Sequence, residues 1–168
     1  MRRSAVSGRG TADANPLPVL GWREWIALPE LGIGRIKAKV DTGARTSCLH
    51  AFFVETYPRK GQRRVRFGVH PRQKSDEPVV LCDTELLDRR LISDSGGHRE
   101  RRCVIESTLV IGDRRQRIAL TLTNRDSMRF RVLLGRSALA GLFSVNPALS
   151  YCAGKPQIER GLPESVAE

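Results

Sequence analysis

The sequence predicts an all-β domain, either a closed barrel or a sandwich. Segments in which apolar and polar residues alternate recur along the chain, as at residues 36–40 and 118–122, and such alternation is typical of half-buried strands. These short segments are separated by polar or glycine-containing turns, a spacing typical of barrels and sandwiches. The chain has 168 residues, which is enough for one domain with a sizeable core.

The individual elements follow from the same pattern. One short helix is predicted at residues 137–142, with Ser137 near its start, and a terminal strand at residues 143–151. The other strands are predicted at residues 19–28, 36–40, 48–54, 64–70, 79–82, 86–92, 102–111, 116–123 and 131–134.

The first candidate for a catalytic group is Asp41, which stands where the alternation of residues 36–40 stops. Thr42 adds a small hydroxyl group, and Gly43 permits a tight turn without the steric cost of a Cβ atom. Such a turn can hold a carboxylate in a dry cleft, hydrogen-bonded by Thr42 and by backbone N–H groups around Gly43. Asp and Gly are also common turn residues, so the tripeptide taken alone fits an ordinary strand end at least as well.

A second segment favours the catalytic interpretation. Residues 130–136 form a buried-strand pattern that ends in Gly135 and Arg136. This segment and residues 41–44 together resemble the retropepsin-like aspartic proteases. Members of that family have Asp-Thr-Gly-Ala after a strand and, later in the chain, two hydrophobic residues followed by Gly and usually by Arg. The resemblance implies a retropepsin-like barrel in which the catalytic residues are Asp41, Thr42 and Gly43 and the structural residues are Leu134 and Gly135.

Further segments make the resemblance more specific. Residues 21–25, 95–102 and 122–126 are similar to a bacterial subgroup of these proteins that is often labelled ATP-dependent zinc proteases. The resemblance covers roughly residues 19 to 150, and the order of the motifs is specific where each motif alone is weak.

The number of catalytic-type aspartates predicts an assembly. Aspartic proteolysis uses two carboxylates that share a proton, because close like charges do not both ionise easily. This chain has one Asp-Thr-Gly, since Asp83-Thr84 lacks the glycine. We therefore expect a homodimer in which two copies of Asp41 meet at a two-fold axis and titrate as one dyad.

A long hairpin is predicted from residues 86–92 and 102–111, with a glycine-containing tip between them. In retropepsins such a hairpin is the flap, so the resemblance places Ser95, Gly96, Gly97 and His98 at the substrate, where the flap would close and exclude water. An ordinary exposed hairpin fits the sequence equally well. Residues 55–80 are expected to form an added hairpin, because this stretch is longer than in viral members.

One departure from the viral pattern bears on specificity. Viral members tend to carry an acidic residue just after Asp-Thr-Gly-Ala, where this chain has Arg45 beside Ala44. Arg45 and Arg136 would then face the cleft and bind acidic side chains of a substrate. Some relatives are encoded beside an enzyme that adds glutamates to a ribosomal protein, which suggests a glutamate-rich substrate. The alternative is that an acid of this chain, Glu24, Asp94 or Asp126, already pairs with these arginines.

Charge and composition limit the remaining classes of function and of binding partner. The chain has 29 Lys and Arg against 18 Asp and Glu, a net charge of +11, but only 5% aromatic residues, which argues against a base-stacking nucleic-acid platform. The four cysteines lack zinc-site spacing, no H-E-x-x-H or phosphate-binding glycine loop occurs, and no apolar run approaches a membrane span. We expect a cytoplasmic protein with free thiols and no metal, cofactor or membrane partner.

The domain is predicted to cover residues 19–154, between a disordered basic tail at residues 1–18 and a loose tail at residues 155–168. Two function classes remain open. The first is a dimeric aspartic endopeptidase, and the second is a non-catalytic module that binds acidic peptides and regulates a partner enzyme. A zinc hydrolase is a distant third.

Overall fold

The computed structural model describes residues 16–125 and 127–158, and it confirms the all-β prediction. Short turns of 3-10 helix cover Pro29–Leu31 and Arg136–Ala138. The strands are β1 (Val19–Leu20), β2 (Arg23–Leu28), β3 (Ile33–Val40), β4 (Ser47–His50), β5 (Phe53–Arg59), β6 (Gln62–Val69), β7 (Val80–Glu85), β8 (Asp88–Ser93), β9 (Arg99–Ile111), β10 (Arg114–Thr123), β11 (Val132–Leu134) and β12 (Ser144–Val145).

The main body is a mixed sheet of seven strands in the order β10-β4-β11-β3-β2-β9-β8. Strands β9 and β10 also pair with each other, so six of the strands close into a barrel and β8 extends the sheet from β9. Closure leaves few unpaired strand edges, which limits pairing with other chains. A separate antiparallel sheet contains β5, β6 and β7, and β1 pairs in parallel with β12.

The barrel is filled by the inward-facing half of each alternating strand. Ile36 and Ala38 of β3 are fully buried, and the lysines between and after them face outward. Full burial of an aliphatic side chain of this kind stabilises the fold by about 1.5–3 kcal/mol. The fully buried apolar residues of the barrel strands include Ile26, Leu28, Ile33, Leu49, Ile105, Leu109, Leu120, Val132 and Leu134.

Two predicted strands are each split in the structure. The strand predicted at residues 19–28 is divided into β1, which pairs with β12, and β2, which pairs with β3, and between them a Cβ atom on Gly21 would lie 2.2 Å from the carbonyl oxygen of Leu149. The strand predicted at residues 48–54 is split because the chain leaves the barrel there, with Phe52 N–H bonded to Gly68 of the smaller sheet. The added hairpin of residues 55–80 is present as β5 and β6, with β7 as its third strand.

The chain after β11 also differs from the prediction. The helix predicted at residues 137–142 is a single 3-10 turn, Arg136–Ala138, because the chain turns again at Leu142, whose N–H bonds to Leu139. The terminal strand predicted at residues 143–151 is limited to Ser144–Val145. Most of the two predicted tails lies outside the described residues, and Gln157 donates a backbone hydrogen bond to Gly112.

A buried carboxylate fixes the segment that follows β12. Glu24 is fully buried in β2, and its oxygens accept backbone hydrogen bonds from Gly21 (3.2 Å), Cys152 (2.9 Å) and Ala153 (2.8 Å). The backbone of the same segment also pairs with β2, through Tyr151 N–H to Arg23 and Trp22 N–H to Leu149. These contacts hold residues 149–153 along the edge of β2.

Replacement of Glu24 by Ala should lower the free energy of unfolding by on the order of 3 kcal/mol, because the buried N–H of Gly21 and the partly buried N–H groups of Cys152 and Ala153 lose their acceptor. Urea unfolding followed by tryptophan fluorescence measures this change. The control is Glu55→Ala, which removes an exposed carboxylate from β5 and should change stability by less than about 0.5 kcal/mol. Equal loss of stability in the two variants would contradict the role assigned to Glu24.

Candidate active site

Two parallel strands bring the candidate catalytic residues together. Strands β3 and β11 lie side by side with Val40 opposite Leu134, so both strands end at the same edge of the barrel. Asp41 follows β3, and its N–H donates to the carbonyl oxygen of Leu134 at 2.9 Å. Gly135 follows β11. The two motifs, which lie almost a hundred residues apart in the sequence, therefore meet in space as the resemblance implies.

The turn after β3 holds the Asp41 carboxylate. Its Oδ1 accepts a hydrogen bond from Gly43 N–H at 3.1 Å, and its carbonyl oxygen accepts one from Ala44 N–H at 3.2 Å. The side chain of Asp41 is half-buried, whereas Thr42 and Gly43 are exposed. One carboxylate oxygen is thus fixed by the backbone, and the residues beside it are open to a ligand or to a second chain.

The loop of residues 41–47 crosses directly over Gly135. Gly135 N–H donates to the Ser47 hydroxyl oxygen at 3.0 Å, and the N–H groups of Arg136 and Ser137 donate to the carbonyl oxygens of Ala44 (2.8 Å) and Arg45 (3.0 Å). A Cβ atom on Gly135 would lie 2.6 Å from the carbonyl carbon of Thr46. Only glycine allows so close a crossing. Ser47 was not among the predicted site residues, because a serine at a strand start carries no distinct signal.

The side chain of Arg136 turns back onto the same loop. Its Nη1 donates to the carbonyl oxygens of Thr42 (2.9 Å) and Gly43 (3.0 Å), so the guanidinium fixes the backbone of the turn that follows Asp41. The substrate role predicted for Arg136 stays a prediction beside this positioning role. Across residues 16–125 and 127–158, neither Arg45 nor Arg136 forms an ion pair with a carboxylate.

The acids that might have paired with these arginines are engaged elsewhere. Glu24 binds the backbone of residues 21 and 152–153, and Asp94 pairs with Arg125. Asp126 lies outside the described residues. Arg45 is exposed in the same loop, four residues after Asp41, and it is available to an acidic ligand.

The hairpin predicted from residues 86–92 and 102–111 is present as β8 and β9, and its role as a flap stays a prediction. Its tip is a tight turn in which Asp94 Oδ1 accepts hydrogen bonds from Gly96 N–H (3.0 Å) and His98 N–H (2.9 Å). Gly97 has a φ of 79°, a conformation that suits glycine. Ser95, Gly96, Gly97 and His98 are all exposed. Among the described residues, no hydrogen bond or ion pair joins this tip to the loop of residues 41–47.

An ion pair anchors the hairpin tip to the barrel. The other oxygen of Asp94 pairs with Arg125, which follows β10, and Arg125 N–H donates to His50 Nδ1 at 3.1 Å. The N–H of His98, together with Arg125, holds the pKa of Asp94 below its ordinary value. The tip is thus connected to the end of β4, the strand that begins after the catalytic loop.

The base of the same hairpin carries a buried charge. Arg102 of β9 is 8% exposed, pairs with Glu100 at 3.0 Å and lies 3.6 Å from the Cys48 sulfur. Glu100 also accepts a hydrogen bond from the Thr123 hydroxyl. Burial raises the pKa of the Cys48 thiol, and burial raises that of Cys82 to about 12, so both thiols stay protonated and poorly nucleophilic.

Other candidate groups do not form a second site. Asp83 of β7 accepts a hydrogen bond from Tyr57 and pairs with Arg64, and both partners hold the pKa of Asp83 below its ordinary value. Its carboxylate is therefore occupied by contacts within the smaller sheet. Over residues 16–125 and 127–158, no three His, Cys, Asp or Glu side chains are grouped as metal ligands would be. No described helix has the length and apolar character to cross a bilayer. All four cysteines are free thiols.

Gly135→Ala should disrupt the loop crossing, since the added Cβ meets backbone atoms of Thr46 that cannot rotate away. We expect the free energy of unfolding to fall by about 1–3 kcal/mol, measured by urea denaturation. The control is Gly34→Ala in β3, where the new Cβ would meet only the end of the Ile158 side chain at 3.4 Å. A Gly135→Ala protein as stable as Gly34→Ala would show that the crossing tolerates a side chain.

Protonation of Asp94 should loosen the hairpin tip. The folded-state pKa of Asp94 lies below its ordinary value of 3.8, so the tip contacts are complete above pH 3.8 and are lost as pH falls through the lower folded value. An NMR titration should show the amide signals of Gly96 and His98 moving together with a midpoint below 3.8. In Asp94→Asn these signals should not titrate. A midpoint at or above 3.8 in the unmodified protein would contradict the assigned contacts.

Comparison with known proteins agrees with this geometry. The family model of the RimB-like proteins, described as the retropepsin-like aspartic endopeptidase RimB, matches residues 19–156. A solved structure from Legionella pneumophila subsp. pneumophila str. Philadelphia 1, a protein of unknown function, superposes with a TM-score of 0.68 at 26% sequence identity and covers 83% of this chain and 99% of its own.

Curated relatives place the same domain within longer chains. Proteins from Shewanella pealeana and Shewanella halifaxensis are each 44% identical over 137 residues, and one from Desulfotalea psychrophila is 43% identical over 137 residues. All three are named probable alpha-L-glutamate ligase, and the match covers 82% of this chain but 30% of each relative. On the strength of the family match across residues 19–156, the chain belongs to the RimB-like family of retropepsin-like aspartic endopeptidases.

Proposed function

We propose that this protein is a homodimeric aspartic endopeptidase that hydrolyses peptide bonds in acidic, glutamate-rich substrates. The observation that carries the proposal is the position of Asp41, at the end of β3 with one carboxylate oxygen bound to Gly43 N–H and its loop locked over Gly135. A carboxylate held in this way is oriented for proton transfer and does not need to reorganise during the reaction.

The mechanism requires two carboxylates. In the proposed dimer, Asp41 of each subunit faces its twin across the two-fold axis, and the pair shares one proton. The ionised member takes a proton from water as the water attacks the peptide carbonyl carbon, while the protonated member donates to the carbonyl oxygen. Collapse of the tetrahedral intermediate then breaks the C–N bond, and the amine leaves with a proton from the dyad. The exposure of Thr42 and Gly43 in the single chain supports a partner at this position.

The class of substrate is proposed from charge and from the relatives. Arg45 lies in the catalytic loop without a carboxylate partner among the described residues, and Arg136 holds the same loop. An arginine near a cleft favours carboxylate ligands, which it can bind with two parallel hydrogen bonds. Relatives named probable alpha-L-glutamate ligase contain a matching domain, which supports a peptide that bears glutamates as the substrate of this domain.

A non-catalytic function is the second candidate. The relatives in which the domain forms 30% of the chain are named for ligation and not for proteolysis, which favours a domain that binds the acidic product of a partner enzyme. This function needs the cleft and the arginines but not a pair of catalytic carboxylates.

Asp41→Asn separates the two functions. We expect it to lower kcat/KM for an internally quenched glutamate-rich peptide by on the order of a thousandfold or more, because an amide cannot share the proton of the dyad. Binding of the same peptide, measured by fluorescence anisotropy, should remain. The control is Asp113→Asn, in the exposed turn between β9 and β10, which should leave hydrolysis within about twofold of the unmodified protein.

The same variant tests whether the dyad is shared between chains. An equimolar mixture of unmodified and Asp41→Asn protein, after exchange of subunits, should retain about one quarter of the activity of the unmodified protein at the same total concentration, because only one pairing in four has two aspartates. Retention of one half would show that each chain acts alone. Unchanged hydrolysis by Asp41→Asn would overturn the endopeptidase proposal, and binding without hydrolysis by the unmodified protein would favour the non-catalytic module.

A further inference from the structure

A surface outside the catalytic loop carries a concentration of charge that the sequence does not reveal. The outward-facing residues of β2 and β3 are cations and rings, with Arg23 opposite Lys39 and Trp25 opposite Lys37. We call this surface the cationic track, and it consists of Arg23, Arg35, Lys37 and Lys39 with the rings of Trp22, Trp25 and Tyr151.

The cations of the track are unpaired. Some arginines elsewhere on the described surface, such as Arg64 and Arg117, pair with nearby carboxylates, whereas Arg59 and Arg63 of the β5–β6 hairpin form no ion pair with a described residue. None of the four cations of the track forms an ion pair within residues 16–125 and 127–158. Four positive charges on adjacent strands repel each other, and an anionic ligand would relieve that repulsion.

Aromatic rings hold the track cations in place. The guanidinium of Arg23 lies 4.6 Å from the Trp22 ring and 5.0 Å from the Tyr151 ring, and both Arg35 (5.2 Å) and Lys37 (5.0 Å) lie over Trp25. A guanidinium stacked on a ring keeps its in-plane N–H groups free to bind carboxylate oxygens. The rings therefore orient the cations and reduce the entropy lost when an anion binds.

The position of the track relates it to the catalytic acid. Every second residue from Lys37 to Asp41 lies on the same side of the sheet, because side chains alternate along β3. Asp41 follows the last residue of β3, but its N–H still bonds to β11, so the alternation extends to it. Lys39 lies about 7 Å along the chain from Asp41, and Lys37 about 13 Å. A ligand bound along the track would thus extend away from the catalytic site.

We infer that the cationic track is a docking site for an extended acidic segment of the polypeptide substrate, next to the scissile bond. The inference rests on the proposed function. Outward-facing residues of a strand repeat every 7 Å or so, which matches the repeat of alternate side chains in an extended peptide. A run of glutamates could therefore place every second carboxylate on successive cations.

The observations favour an acidic polypeptide over RNA as the occupant. Single-stranded RNA binds such surfaces mainly by stacking its bases on open rings. The ring of Trp25 has Arg35 and Lys37 over it and stacks with Tyr151 at 5.8 Å, so little of it is open to a base. The track also leads to a carboxylate that acts on peptides under the proposed function.

The test uses the full chain and two peptides that share a cleavable core. One peptide carries a flanking run of glutamates and the other carries glutamines at the same positions. Arg35→Gln/Lys37→Gln should raise KM for the glutamate peptide roughly three- to tenfold relative to KM for the glutamine peptide, at low ionic strength, with kcat for the glutamate peptide unchanged. The matched control is Arg59→Gln/Arg63→Gln, which removes the same charge from the exposed β5–β6 hairpin and should not change that ratio.

Binding measurements separate this inference from the proposed catalysis. In the Asp41→Asn background, the labelled glutamate peptide should bind more weakly to the Arg35→Gln/Lys37→Gln protein and equally well to the Arg59→Gln/Arg63→Gln protein. This result would support the track even if no hydrolysis were detected. Equal loss in both double variants would show a non-specific charge effect, and tighter binding of a single-stranded RNA of the same charge would show that the occupant is RNA. Either result would overturn the inference.

Discussion

The close crossing of the loop of residues 41–47 over Gly135 is the constraint on which the rest of the candidate site depends. Strands β3 and β11 end side by side, and the loop that begins at Asp41 must pass within van der Waals contact of the residue after β11. Hydrogen bonds from Gly135, Arg136 and Ser137 then fix five residues of the loop, Thr42, Gly43, Ala44, Arg45 and Ser47, counting those from the side chain of Arg136. The Asp41 carboxylate begins this loop and therefore has little freedom to move, and the proposed proton transfer would use that pre-organisation.

The arginines of this basic chain have distinct physical roles. Arg136 donates hydrogen bonds to backbone carbonyl oxygens, and Arg102 is buried and pairs with Glu100. Arg125 holds the hairpin tip through its ion pair with Asp94. Other cations form no ion pair among the described residues, and they include Arg45, the cations of the track, and Arg59 and Arg63 of the β5–β6 hairpin. The cations that make internal contacts stabilise the fold, and the others add to the positive field of a chain whose net charge is +11.

The hairpin of β8 and β9 contacts strand β4 at two positions. Its tip reaches His50 through Arg125, and its base reaches Cys48 through Arg102. Strand β4 begins at Ser47, whose hydroxyl oxygen accepts a hydrogen bond from Gly135. A movement of the tip away from the barrel would break the partly buried ion pair between Asp94 and Arg125. The buried pair of Arg102 and Glu100 lies within β9, so it would move with the hairpin.

The sequence by itself determined the all-β class and most strand positions, because the alternation of apolar and polar residues is a local property of each strand. The contact between Asp41 and the Gly135 segment was implied by the resemblance to retropepsin-like proteases, and the structure brings the two together through β3 and β11. The tertiary structure decided what depends on neighbours distant in the chain. It split the strands predicted at residues 19–28 and 48–54, shortened the predicted helix to one turn, directed Arg136 onto the loop carbonyl oxygens and assembled Trp25, Lys37 and Tyr151 on one surface. The amino-acid composition does not reveal such a cluster, because an aromatic content of 5% says nothing about where the rings lie in the fold.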